Sequence, residues 1–150
     1  MPEPRGPLQS PGFWLHHAAL TWRRQLDARL ADLGLTHTQF DLLASAGWLS
    51  RGQSLPTQQQ VADMAGADRM MASKVLAGLE RRGLLVRRPH PADPRAKQLA
   101  PTPQGREVVK RAVRIVAEVD EAIFGPPEAE RDQLLLRLRQ LAETGERPIA

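Results

Sequence analysis

The sequence predicts a mainly helical fold that carries one small antiparallel β-hairpin. Two short helical segments joined by a glycine-containing turn fill residues 57–83. Two strand-like runs around a proline-rich tip follow directly, over residues 84–100. Longer helical stretches with apolar faces stand before and after this central unit. These observations indicate a helix-turn-helix with an attached hairpin, framed by N- and C-terminal helices.

The composition fits a single domain of ordinary size. The chain has 150 residues, of which 41% are hydrophobic and 25% are charged, a balance typical of globular proteins. It has no cysteine, which excludes disulfides and thiolate metal sites. No apolar run is long enough to span a membrane, and the N-terminus lacks the apolar core of a signal peptide. We therefore expect a cytoplasmic protein without a membrane partner.

The positive charge is concentrated in one part of the chain. Residues 68–97 contain eight Lys or Arg and three acidic side chains, a surplus of five, whereas the whole chain carries a net charge of +4. The rest of the chain is therefore slightly acidic. A concentrated basic stretch is expected of a surface that binds phosphates. A solvated basic face would have the same composition, so charge alone does not decide between the two.

The N-terminal third predicts a tail and two helices. Residues 1–11 are rich in proline and glycine and are expected to form a flexible tail. A helical stretch then runs from Phe13 to Leu33, and Gly34 can end it in the left-handed conformation. Thr36 is placed to cap the N-terminus of the second helix.

The central segment predicts the helix-turn-helix. Thr57 begins a short helix, and a turn containing Gly66 separates it from a second helix capped by Asp68. Met71, Val75 and Leu79 recur every four residues and are expected to be buried. The opposite face suits a helix in a DNA major groove, although any amphipathic helix with a wet side has this pattern; it contains Arg69, Met70, Ser73, Lys74 and Ala77.

The hairpin and the C-terminal helices follow. The runs LLVRR and KQLA are predicted to pair around the tip PHPADPRA, where proline stiffens the chain without breaking a sheet. Thr102 and Pro103 begin a long helix, and GPP at residues 125–127 separates it from a last one. The apolar stripes of the outer helices are wider than one small domain needs, which favours a partner subunit. We expect a single domain over residues 12–150, with a DNA-binding winged helix at about 36–101 and dimerisation helices at about 12–34 and 102–143.

The stretch ADRMMASKVLAGLERRGLLVRRPHPADPRAKQLAPTPQG resembles the core of the MarR family, the multiple-antibiotic-resistance-type winged-helix regulators. The family pattern is a recognition helix ending in Leu-Glu-x-x-Gly-Leu, a basic strand, a wing with Asp-x-Arg, and a strand running into Leu-Thr-x-x-Gly. This chain matches it at Leu79-Glu80, Gly83-Leu84, Arg87-Arg88, Asp93-x-Arg95 and Thr102-x-x-Gly105.

The likeness extends over residues 13–142, where outside the motif it rests on the order and length of the helices. The chain departs from the family pattern at two places. Pro101 stands where the family usually has leucine, which would end the second wing strand early. Met70-Met71 replaces the commoner Ser-Thr pair on the recognition helix, so the base contacts differ from the usual ones.

The resemblance implies a sequence-specific, DNA-binding transcriptional regulator, namely a repressor that binds a pseudo-palindromic operator as a homodimer and responds to a small-molecule effector. An arginine at the tip of a stiff hairpin, here Arg95, can enter the minor groove. Asp93 can hold that guanidinium or form the turn, and both roles can coexist. The expected DNA-binding residues are Gln58, Gln59, Arg69, Met70, Ser73, Lys74, Arg87, Arg88, His90, Asp93, Arg95 and Lys97.

Other roles have weaker support in the sequence. Trp14 and His17 are candidates for an effector site, since family ligands often lie beside the first two helices. The four histidines show no metal-ligand spacing, and no phosphate loop or nucleophile motif occurs, so we expect no metal, no cofactor and no enzyme. Two alternatives remain open: a sequence-indifferent architectural DNA-binding protein, and a winged-helix protein-interaction module that does not bind DNA.

Overall fold

The structure is a computed structural model, which describes residues 6–145. Within that range, six α-helices and one two-stranded antiparallel sheet form a winged helix-turn-helix with long flanking helices, and this confirms the predicted fold class. The elements are α1 (Pro11–Leu30), α2 (His37–Leu49), α3 (Gln58–Ala65), α4 (Arg69–Arg81), β1 (Leu85–Pro89), β2 (Lys97–Pro101), α5 (Pro103–Phe124) and α6 (Ala129–Thr144). No helix within the described range is long and apolar enough to cross a membrane.

Local side-chain chemistry sets the boundaries of the helices. Thr36 and Thr57 each cap a helix in a reciprocal capping box with a glutamine three residues later. Asp68 accepts from the backbone N–H of Met71, and Thr102 caps α5 ahead of a proline in the first turn. Gly34 adopts the left-handed conformation, with a φ of 67°, after a short 3-10 turn that ends the first helical stretch. These predicted boundaries are confirmed.

The described part of the segment expected to form a flexible N-terminal tail contains a short turn and the first residue of α1. Residues 1–5 lie outside the described residues, as do residues 146–150 at the end of the predicted domain. Pro7–Gln9 form one 3-10 turn, and Pro11 already belongs to α1. The helix begins there because the Ser10 hydroxyl accepts from the backbone N–H of Phe13 and proline is well tolerated in a first helical turn.

The helix-turn-helix core lies among α2, α3 and α4, but the prediction of the buried face of α4 was partly wrong. Ala72, Leu76 and Leu79 are fully buried. Met71 is 44% exposed, and Val75 is only partly buried. The buried face is rotated by about one residue from the predicted one because α4 packs against α2, α3 and β1 together. Both sets of residues fit helical spacing, so the pattern did not distinguish them.

The hairpin accommodates both of its strand prolines. Leu85 pairs with Pro101, and Pro89 pairs with Lys97. The Leu99 N–H points out of the hairpin to the carbonyl of Pro56, so the nitrogen of Pro101, two residues further, faces the same outer side. Neither strand therefore loses a ladder hydrogen bond to proline. The expectation that Pro101 ends the second strand early was wrong, because β2 includes it and its side chain is buried.

The flanking helices are tied to the central unit by a few polar contacts. The Trp22 indole N–H donates to Asp120 at 2.8 Å, which links α1 to α5. Asp27 accepts from the backbone N–H of His37 at 2.6 Å, which links α1 to α2. α6 carries no fully buried side chain, and it exposes four leucines, Leu134, Leu135, Leu136 and Leu141. The outer helices thus leave apolar surface uncovered in a single subunit.

Candidate nucleic-acid interface

A groove of about 560 Å³ runs between the helix-turn-helix and the wing. It is bounded by the N-terminal turns of α3 and α4 on one side and by the hairpin on the other. Eight of the twelve predicted DNA-binding residues line it: Gln58, Gln59, Arg69, Ser73, Arg87, Asp93, Arg95 and Lys97. The fold therefore brings together residues that lie up to 39 positions apart in the chain.

The other four predicted residues lie outside the groove lining. Met70 and Lys74 are exposed on α4, and the Met70 side chain is 82% exposed. Arg88 is exposed on β1, on the opposite face of the strand from Arg87. His90 lies at the wing tip. Met70 and Lys74 thus extend the surface along α4 beyond the groove itself.

Arg87 is engaged by other side chains of the protein. Its guanidinium donates to Glu80 Oε1 at 3.3 Å and to Gln58 Oε1 at 3.4 Å. Glu80 Oε2 also accepts from the Arg87 backbone N–H at 2.9 Å. The Arg87 side chain is only 18% exposed. Arg87 therefore links the wing, the recognition helix α4 and the start of α3 in this structure, and its direct contact with DNA stays a prediction.

Sequence reasoning missed the role of Glu80. It was recognised only as part of the Leu-Glu-x-x-Gly-Leu motif, although a carboxylate in a strongly basic stretch is itself a signal. The last turn of α4 places its side chain beside β1, where it neutralises Arg87 and satisfies a backbone donor. The basic surplus at the groove is therefore carried by the remaining cations, among them Arg69, Arg95 and Lys97.

The wing tip is held by side chains that accept from its own backbone. His90 Nδ1 accepts from the backbone N–H groups of Ala92 and Asp93, at 3.0 and 3.1 Å. Asp93 Oδ1 accepts from the backbone N–H of Arg95 at 2.9 Å. Asp93 thus forms the turn, which is one of its two expected roles, while its contact with the guanidinium stays a prediction. Within residues 6–145 the exposed Arg95 guanidinium makes no hydrogen bond.

The α3 residues at the groove are also partly engaged. Gln58 accepts from Arg87, and the Gln59 side-chain amide donates to Asp63 at 2.6 Å. Both residues still line the groove. The backbone N–H groups in the first turn of a helix have no partner within the helix and can bind an anion such as a DNA phosphate. A glutamine held in that turn lies beside these groups.

A second groove, of about 530 Å³, lies between α1, α5 and α6. Trp14 lines it together with Trp22 and Phe124. The other effector candidate, His17, is outside the lining and stacks on Phe13 with ring centroids 4.3 Å apart. The structure does not bring Trp14 and His17 together in one cavity.

In the described part of the chain, no three His, Asp or Glu side chains form a group able to hold a metal ion.

Comparisons with known proteins agree with this architecture. The MarR family pattern matches residues 35–97. The chain is 38% identical, over 119 residues, to an uncharacterized HTH-type transcriptional regulator, YdcH, of Bacillus subtilis. That alignment covers 79% of this chain and 81% of YdcH.

Two solved structures are similar over nearly the whole chain. BpsR of Bordetella bronchiseptica, whose DNA binding is regulated by 6-hydroxynicotinic acid, has a TM-score of 0.81 at 26% identity and covers 93% of this chain and 97% of that one. CouR of Rhodococcus jostii RHA1, bound to p-coumaroyl-CoA, has a TM-score of 0.79 at 24% identity and covers 98% and 99%.

The groove, the recognition helix and the wing are thus found in a chain whose relatives are winged-helix regulators. The extent and identity of the YdcH match show the family, and the match to the family pattern falls on the helix-turn-helix and the wing. The chain belongs to the MarR family and is a winged helix-turn-helix, DNA-binding transcriptional regulator.

Proposed function

We propose that this protein represses transcription in the cytoplasm as a homodimer that binds a pseudo-palindromic operator and is released by a small-molecule effector. The observation that carries the proposal is the groove between α4 and the wing, where Arg69, Arg95 and Lys97 converge. Its dimensions and charge suit the backbone of duplex DNA. Bound in this way, α4 lies in the major groove and the wing reaches the neighbouring minor groove.

The residues divide by the part of DNA that they contact. Arg69, Met70, Ser73 and Lys74 face the base edges of the major groove from the first two turns of α4. Arg95 enters the minor groove, because its guanidinium is unengaged at the tip of a hairpin whose backbone is already satisfied. Phosphate contacts come from the remaining groove and wing residues, namely Gln58, Gln59, Arg88, His90 and Lys97. Arg87 and Asp93 act from within the protein by fixing the wing.

The outer helices supply the dimer. α1, α5 and α6 leave large apolar side chains uncovered, including Leu135 and Leu136, which are 65% and 56% exposed. Burying such a surface between two copies stabilises the assembly and places two recognition helices on one side. A two-fold dimer then requires an operator with inverted half-sites about one helical turn apart.

Effector binding is proposed from the second groove and from the relatives. The groove is mainly apolar, with aromatic side chains from Trp14, Trp22 and Phe124 and one carboxylate, Asp120. Such a lining suits a flat, amphipathic molecule. BpsR responds to 6-hydroxynicotinic acid, which is a molecule of that general shape. We propose Trp14 as an effector contact and keep His17 as a peripheral candidate.

The experiment that tests the regulator is a binding comparison across DNA fragments. The protein is titrated at moderate salt against the intergenic region beside its own gene and against random fragments of equal length. We expect one inverted repeat to bind at least about a thousandfold more tightly than bulk DNA. Equal affinity for every fragment would identify an architectural protein instead, and no binding at any salt concentration would identify a protein-interaction module.

A further inference from the structure

The sulfur atoms of this chain are concentrated on its helix-turn-helix. The sequence has no cysteine and four methionines, and apart from Met1 these are Met64 on α3 and the adjacent Met70 and Met71 on α4. Their side chains are 50%, 82% and 44% exposed, respectively. Methionine usually fills gaps in a hydrophobic core. Here every thioether beyond the first residue is exposed on the lobe that faces DNA.

Met70 has the most exposed position of the three. It is the second residue of α4, next to Arg69, which lines the DNA groove, and less than one turn before Ser73, which also lines it. A side chain in the first turns of a recognition helix meets the base edges when that helix enters the major groove. An unbranched apolar side chain at this position can pack against a thymine methyl group, and this contact is favourable only while the side chain stays apolar.

We propose that Met70 is a modification site, and that its oxidation to the sulfoxide by hypochlorous acid or a related two-electron oxidant releases the protein from its operator. The inference rests on the proposed operator binding and adds a signal that is independent of any effector. In the net reaction the thioether sulfur forms a bond to the oxygen of the oxidant while the oxygen–chlorine bond breaks. Sulfur loses two electrons, chlorine leaves as chloride, and the proton goes to water.

The chemistry of the product explains the release. The sulfoxide oxygen is a strong acceptor with no hydrogen to donate, so it cannot pair with the acceptors that guanine and thymine present in the major groove. Burying it against a thymine methyl group, which donates no hydrogen bond, leaves it unsatisfied and costs more than burying the thioether. Sulfoxides are reduced again by methionine sulfoxide reductases, so the release is reversible. Since the chain has no thiol, no cysteine of its own competes for the oxidant.

The experiment is an oxidation-interference measurement on the wild-type dimer. The untreated protein is first titrated with its operator and is then oxidised partially with sodium hypochlorite. The treated protein is partitioned over immobilised operator, and peptide mass spectrometry measures the sulfoxide at each methionine in the bound and unbound fractions. We expect Met70 sulfoxide to be depleted about tenfold in the bound fraction. Met64 sulfoxide serves as the matched internal control and is expected to distribute evenly.

The outcomes separate the two proposals. If the untreated protein prefers no operator, the proposed function fails. If it binds normally, three results would overturn the assignment to Met70: an even distribution of Met70 sulfoxide, depletion confined to Met71 sulfoxide, or equal depletion of the sulfoxide at all three methionines.

Two variants, Met70→Leu and Met64→Leu, are each compared with their own untreated samples. We expect oxidation to change the operator affinity of Met70→Leu by less than twofold. The operator affinity of Met64→Leu should fall by about as much as that of the wild type. Treatment with the reductases should then restore the affinity of the oxidised wild type and of oxidised Met64→Leu.

Discussion

The Glu80 carboxylate accepts three hydrogen bonds from Arg87, one from the backbone N–H at 2.9 Å and two from the guanidinium, each at 3.3 Å. Glu80 lies in the last turn of the recognition helix and Arg87 lies in the first strand of the wing. The pair therefore fixes the angle between α4 and the wing. Gln58 adds the start of α3 to the same network at 3.4 Å. The proposed contact with two DNA grooves depends on this angle, because a small displacement would separate the wing from its groove.

The first prediction concerns this pair. Replacing Glu80 with Gln removes the charge but keeps a hydrogen-bond acceptor. We expect the free energy of unfolding to fall by about 1 kcal/mol, which is the typical contribution of a charge-assisted hydrogen bond that is partly exposed to solvent. Operator affinity should fall about five- to tenfold, because the wing loses its fixed angle. Hydroxyl-radical footprinting should show weaker minor-groove protection with the major-groove contacts retained. The matched control is Glu107→Gln, an exposed change on α5; an unaltered footprint for Glu80→Gln would assign the pair to stability alone.

The second prediction concerns the wing tip. Arg95→Ala should weaken operator binding by more than about 1 kcal/mol and leave thermal unfolding unchanged, since the side chain is exposed and makes no hydrogen bond among the described residues. Replacing A·T pairs by G·C pairs in the operator flanks should weaken the wild type and have little further effect on Arg95→Ala. Arg51→Ala is the control, because Arg51 stacks on Trp48 outside the groove. If Arg95→Ala binds as tightly as wild type, the wing makes no minor-groove contact.

The third prediction concerns the glycine of the Thr-x-x-Gly motif. A Cβ atom built on Gly105 would lie 1.8 Å from the carbonyl oxygen of Leu84, so the first turn of α5 could not stay in place. Gly105→Ala should therefore destabilise the fold by about 2–4 kcal/mol. Gly47→Ala is the matched control, because its Cβ would meet only Pro101 at an ordinary 3.7 Å. We expect the control to be neutral or slightly stabilising in chemical denaturation, since alanine favours a helix interior; similar stabilities for the two variants would contradict this packing argument.

The sequence predicts the features that depend on local chemistry and misses those that depend on packing. The helix caps at Thr57 and Asp68 follow from side chains bonding to their own backbone, so they could be placed without a structure. The buried face of α4 could not, because Met71 and Ala72 both fit helical spacing and only the neighbouring helices choose between them. Arg87 shows the same limit at the site. A basic residue in a basic stretch is predicted to bind DNA, and only the fold shows that a carboxylate seven residues earlier engages it.

The fourth prediction concerns the subunit interface. Leu135 and Leu136 are 65% and 56% exposed on α6, so burying the exposed part of each against a second copy should contribute about 1–2 kcal/mol. We expect wild-type protein to have a dimer mass by light scattering at micromolar concentration. The double variant Leu135→Glu, Leu136→Glu should dissociate, because two carboxylates would be buried without partners.

Trp48→Gln is the control, since Trp48 is 60% exposed on α2, outside the proposed dimer helices. The dissociated variant should keep its helical circular dichroism but bind a full operator about as weakly as a single half-site, because two half-sites no longer bind as one unit. A monomer mass for the wild type, or a dimer mass for the double variant, would move the interface away from α6.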